Sequence, residues 1–137
     1  MASASPAGYS GKALWQKLGL ASGQRVYVID PPDNLDALLA GAPKDLTRLS
    51  RLGDCEFALV FLTARRAISP AMQKIAPKLA QGGQLWFAWP KKASGVATDV
   101  TEDVLREVVL PTGWVDVKVC AVDATWSGLK FLRRKAR

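Results

Sequence analysis

Two adjacent lysines, Lys91 and Lys92, lead into Ser94, Gly95, Thr98 and Asp99, a stretch whose ammonium groups, hydroxyls and glycine could present charge and backbone amides to a phosphate or a carboxylate. It is not a P-loop, because the lysines precede Gly95 and the Gly-x-x-x-x-Gly-Lys-Ser/Thr spacing is missing. Glu102 and Asp103 already place negative charge in the first turn of the helix that follows, where they favour the helix dipole and repel a second anion. The alternative reading has Asp99 or Thr101 cap that helix while the lysines stay solvated. Asp30 and Asp123 could act as acid or base, or Asp30 could accept from a ribose hydroxyl; capping or turn hydrogen bonding is the commoner role for each. Trp126 could stack on a base or cover the edge of the core.

Other chemistry is excluded by composition. The chain has 137 residues and no histidine, which removes His-based acid/base catalysis, Ser-His-Asp and Cys-His nucleophiles, and every His-containing zinc site. No metal site is expected. Cys55 and Cys120 lack CxxC spacing and read as reduced, packed thiols. Net charge is +7, yet Lys130, Arg133, Arg134, Lys135 and Arg137 carry five of those charges, leaving the rest of the chain near +2. Residues 133–137 form a basic tail that is either a solvated terminus or a weak contact for nucleic acid, with Arg133, Arg134, Lys135 and Arg137 as its cations. The opening residues lack a basic stretch followed by an apolar one, and no apolar run approaches the roughly 18 residues of a membrane span, so a cytoplasmic protein without membrane contact is expected.

The elements that must position these residues follow from hydrophobic patterning. Residues 1–8 read as a loose leader and 9–132 as one domain. Ser10 is expected to cap a first helix through Ala13, Leu14 and Leu18 that ends at Gly19. Val26 to Ile29, Phe57 to Leu62 and Leu85 to Trp89 are apolar runs of strand length, expected at the centre of a sheet covered by helices. After Asp30-Pro31-Pro32-Asp33, Leu35, Leu38 and Leu39 have helical spacing. The stretch 41–55 fits either a short helix or an irregular connection. A helix capped by Ser69, with Pro70 in its first turn and Met72, Ile75 and Leu79 facing inward, is expected to stop at Gly82-Gly83, with Pro77 kinking or interrupting it. Trp86 and Trp89 are expected on the same side of their strand, in the core. Val104, Leu105, Val108 and Val109 mark one face of a further helix ending at Pro111. Val115, Val117, Val119 and Ala121 then alternate with polar residues in a half-exposed strand, and Gly128 to Leu132 completes a hairpin.

This order predicts an α/β fold: a three-layer sandwich whose mostly parallel, Rossmann-like sheet ends in an antiparallel hairpin. Loops leaving the carboxyl ends of parallel strands share one edge, where ligands usually bind. That edge should collect Asp30, Arg65, Arg66, Lys91, Lys92, Ser94, Gly95, Thr98, Asp99, Asp123 and Trp126. The uncovered hairpin edge is compatible with a homodimer.

Two resemblances carry further implications. The run from Phe57 to Leu132, with its Leu79-Ala80-Gln81-Gly82-Gly83 turn before a strand, resembles the second half of the Rossmann-like S-adenosylmethionine-dependent methyltransferase fold. In that family a glycine-rich loop follows the first strand; here Asp30-Pro31-Pro32-Asp33-Asn34 stands in its place, without glycine. Separately, Trp89-Pro90-Lys91-Lys92-Ala93-Ser94-Gly95-Val96-Ala97-Thr98-Asp99-Val100-Thr101-Glu102, with Gly8-Tyr9-Ser10-Gly11, Asp116 to Asp123 and Trp126 to Lys130, resembles a family of small bacterial proteins to which no activity is attached.

The resulting expectation is a small binding domain, without catalytic residues, that holds an anionic small molecule or a partner segment near Lys91 and Lys92. No resident cofactor is expected from the residues themselves; S-adenosylmethionine is the one the first resemblance implies. The alternatives are a minimal methyltransferase and a basic protein associated with nucleic acid.

Overall fold

The computed structural model describes residues 12–135. The leader 1–8, the Ser10 cap, the Gly8 to Gly11 motif and Arg137 lie outside them. In chain order the elements are α1 (Leu14–Leu18), β1 (Arg25–Ile29), α2 (Leu35–Leu38), β2 (Thr47–Arg48), β3 (Cys55–Phe61), α3 (Ile68–Ile75), β4 (Leu79–Pro90), α4 (Glu102–Val109), β5 (Trp114–Ala121) and β6 (Trp126–Arg133).

One six-stranded sheet has the order β2-β1-β3-β4-β6-β5. Strands β2, β1, β3 and β4 pair in parallel, and β6 runs antiparallel to both β4 and β5. The expected α/β architecture with a terminal hairpin is therefore present, and β5 points the same way as β4. Strands β3 and β4 are apolar on both faces because both faces are covered. On one face Leu18 of α1 and Leu35 of α2 pack with Phe57, Leu59, Phe61 and Trp86. On the other, Ile68, Met72 and Ile75 of α3 and Leu105 and Val109 of α4 pack with Ala58, Val60, Leu85 and Phe87. No helix among the described residues is long and apolar enough to cross a membrane.

Several elements depart from the sequence reading, each for a local reason. Helix α1 has Ala13 at its N-cap, its amide donating to the Gln16 side chain, and ends as expected at Gly19 in the left-handed region. Helix α3 begins at Ile68, so Ser69 is inside the first turn rather than at the cap. It ends at Ile75 because Pro77 has no amide with which to continue the ladder. Leu79 accordingly belongs to β4 and pairs with Cys55; the strand then bulges before Gln84 meets Phe57. Gly82-Gly83 lies in that bulge, with Gly82 at φ 78°, and does not terminate the helix. Part of the ambiguous stretch 41–55 forms β2, whose Thr47 and Arg48 pair with Arg25 and Val26.

Trp86 and Trp89 face opposite sides of β4, Trp86 toward α1 and Trp89 toward α3 and α4. They lie three positions apart, an odd offset, and side chains alternate along a strand. In β5 it is Trp114 and Cys120 that are buried, whereas Val115, Val117 and Val119 are exposed. A register shift between Asp116 and Lys118 breaks the simple alternation. Both cysteines are free and buried, and burial pushes both thiols up.

Candidate functional site

The carboxyl ends of β1, β3, β4 and β5 share one edge, and backbone and side-chain bonds tie their loops together. Thr98 donates from Oγ1 to the Thr63 carbonyl at 2.6 Å, and the carboxylate of Asp99 accepts the amide of Arg65 at 2.6 Å. The loop after β4 is thereby latched to the loop after β3. Lys91 donates its amide to the Thr125 carbonyl at 2.7 Å, which fastens the start of the lysine loop to the β5–β6 turn. That turn is built by Asp123, whose Oδ1 accepts the amides of Thr125 and Trp126, each at 2.8 Å.

Each candidate residue has a definite place at this rim. Lys92 to Ser94 form one 3-10 turn closed by Gly95 at φ 77°. Ser94 donates its hydroxyl to the Lys91 carbonyl at 2.7 Å and accepts the Val96 amide. Of the two helix caps considered, Thr101 is the one used: its hydroxyl accepts the Val104 amide at 3.1 Å. Arg65 is engaged with Glu107 at 2.8 Å, which raises the guanidinium pKa and holds the Glu107 carboxyl low. Arg66, Lys91 and Lys92 have no carboxylate partner among the described residues.

Asp30 directly follows β1 at φ 51°, and no other non-glycine residue among those described has positive φ. An aspartate tolerates this conformation better than most residues, but a residue before proline ordinarily avoids it. Beside Asp30 is a pocket of about 290 Å³, lined by Ile29, Phe61, Leu62 and Thr63, by Ala64, Ala67 and Ala71, and by Trp126. Trp126 meets Phe61 edge-on, with ring centroids 5.1 Å apart. Sequence reasoning passed over the three alanines; their small size and near-helical spacing across the entry to α3 were the available signal, since they leave room at the strand ends.

The basic end is less uniform than its composition. Arg133 donates to the Ala76 carbonyl at 2.7 Å and lies 4.8 Å over the Trp114 ring, joining β6 to the end of α3. Arg134 and Lys135 are exposed. Among the described residues no group of His, Cys, Asp and Glu is arranged to hold a metal.

No protein-family model matches the chain, and no curated protein sequence does. Solved structures do match. A SAM-dependent methyltransferase from Aquifex aeolicus is similar at a TM-score of 0.60 and 12% identity, over 86% of each chain. The N-methyltransferase NodS from Bradyrhizobium japonicum WM9 is similar at 0.57 and 13% identity, over 89% of this chain and 93% of its own. Aeropyrum pernix fibrillarin, solved with natively bound S-adenosyl-L-methionine, is similar at 0.55 and 12% identity, over 88% of this chain and 72% of its own.

The fold family implies S-adenosylmethionine, whose carboxylate needs cationic or amide donors. Pro31 and Pro32 supply no amide after β1, and no lysine or arginine lines the adjacent pocket to meet the cofactor's carboxylate. This donor set does not fit a cofactor held through backbone amides of the loop after β1. At these identities the likeness speaks to architecture: the chain has the Rossmann-like fold of the S-adenosylmethionine-dependent methyltransferases.

Proposed function

We propose that the chain is a binding domain on the methyltransferase fold that holds a phosphate- or carboxylate-bearing small molecule with Lys91 and Lys92, without a reaction of its own. One observation carries this reading. At the rim Arg65, Ser94, Thr98, Asp99 and Asp123 are engaged within the protein, whereas Lys91 and Lys92, like Arg66, have no carboxylate partner among the described residues. The Thr125 carbonyl and the Ser94 turn fix the backbone beneath them, so an arriving anion need not order the loop first. Titration calorimetry with pyrophosphate and with citrate on the wild type and on the Lys91→Ala/Lys92→Ala protein tests it. Binding that is lost in the double variant with an unchanged unfolding midpoint supports the reading, and equal affinity in the two proteins rejects it.

A second reading, a minimal methyltransferase, is favoured by the pocket between Asp30 and Trp126 at the ends of β1 and β6. It requires label transfer from S-adenosylmethionine to some acceptor in a cell extract, abolished by Asp30→Ala. Absence of transfer across extracts leaves the binding domain.

A further inference from the structure

A row of side chains crosses the sheet on the α1 side, away from the rim. Trp86 on β4 pairs in register with Lys130 on β6, and Lys130 pairs in register with Lys118 on β5. Directly opposed residues of an antiparallel pair point to the same face, and like charges placed there oppose folding. Lys118 has a local explanation: its ammonium donates to the Lys17 carbonyl at 2.9 Å, in the last turn of α1, where the helix dipole favours a cation.

Lys130 has only the face of an aromatic ring as its partner. It is half-buried with its ammonium 5.9 Å from the centre of the Trp86 ring, and among the described residues it has neither a hydrogen-bond acceptor nor a carboxylate partner. Burial and the neighbouring Lys118 both push its pKa down. Asp116, the nearest acid along β5, pairs with Phe131 on the opposite face and is engaged with Arg106. Partly burying an ammonium beside another ammonium is unfavourable, and an anion bound between the two would offset that cost.

We infer that Lys118 and Lys130, flanked by Lys17, form a second anion site that takes a multivalent phosphate compound on the open face of the β5–β6 hairpin. It is separate from the Lys91 and Lys92 rim and does not depend on that reading. The anion would satisfy Lys130 and remove the repulsion across the pair, so the free protein carries a penalty that binding relieves.

Thermal unfolding of the full chain with and without tripolyphosphate at low salt tests this. The wild-type midpoint is expected to rise with tripolyphosphate and to lose most of that rise in added sodium chloride. Lys130→Met keeps the apolar stem and removes the charge. It is expected to raise the midpoint of the free protein and to abolish the response, whereas Lys91→Ala/Lys92→Ala retains the response. Lys118→Gln, which leaves Lys130 in place, is expected to weaken binding at least tenfold. A lower midpoint for free Lys130→Met, or an undiminished response in it, overturns the inference. So does a response lost only in the Lys91 and Lys92 variant, which would return all anion binding to the rim. Binding of a short oligonucleotide through Lys130 with no response to tripolyphosphate also overturns it, in favour of a polymer backbone.

Discussion

Asp99 accepts the backbone amide of Arg65 at 2.6 Å, so a carboxylate that sequence reading offered to a ligand or a helix cap instead joins the loops after β3 and β4. The neighbouring Thr98 bond to the Thr63 carbonyl doubles the joint. Asp99→Ala is expected to leave the sheet intact and speed hydrogen exchange at the Arg65 amide several-fold, with amides of β3 unchanged. Uniform acceleration across the sheet would mean the latch is part of global stability.

Gly19 is fixed by two independent constraints. Its φ is 91°, and a Cβ there would lie 2.2 Å from Oε1 of Gln84. Gly19→Ala is expected to cost roughly 1–3 kcal/mol from the backbone conformation and the displaced glutamine. Urea unfolding measures it, and adding Gln84→Ala should recover only the steric part.

Trp86 is fully buried, and its Nε1 donates to the Leu18 carbonyl at 2.8 Å. Trp86→Phe keeps most of the apolar contact and leaves that carbonyl unpaired in the core, an expected loss of about 1–3 kcal/mol. A midpoint within error of wild type would show that α1 re-seats without this bond.

Arginines lower three carboxyl groups: Arg25 bonds Glu56, Arg65 bonds Glu107, and Arg106 bonds Asp116. Because the folded values lie below the unfolded ones, their contribution is complete above the ordinary carboxylate range of about 4 and is lost as pH falls through the folded values. All three pairs are solvent-accessible, so the slope should be shallow and weaken in salt. Asp116→Asn is expected to flatten the acid limb of a plot of midpoint against pH. Lys130 acts in the other direction: its lowered value opposes folding while the unfolded lysine holds its proton, and the penalty lifts as pH rises from the folded value to the unfolded one. Lys130→Met should remove that alkaline rise.

The fold was largely legible in the sequence, and the site less so. Apolar runs such as Phe57 to Leu62 identify central strands because nothing else buries both faces of an extended chain. Where two local signals competed, one had to yield. Gly82-Gly83 reads as a helix stop, but Pro77 acts five residues earlier, and the glycines are left to a bulge that no periodicity announces. Trp86 and Trp89 were separable by parity alone, and counting their positions along β4 would have placed them on opposite faces. At the rim, Asp123 and Asp99 have the same composition signal, yet one builds its own turn and the other reaches an amide on a different loop. Only tertiary placement distinguishes a local acceptor from a distant one. Lys130 was counted with the basic tail, although a lysine amid Gly128, Leu129, Phe131 and Leu132 already marked a charge inside an apolar strand.

Strand β6 follows β5 in the chain but lies inside it, between β5 and β4. During synthesis, therefore, the chain through β4 leaves the ribosome with the backbone of Leu85 to Trp89 open along one side. The strand that closes it emerges only after β5. Until β5 folds back with β6, the nascent chain presents an apolar, unpaired strand edge, the form most prone to capture by another chain. Slow decoding between Gly113 and Arg133 would lengthen that interval, making the hairpin's arrival the moment at which aggregation and folding compete.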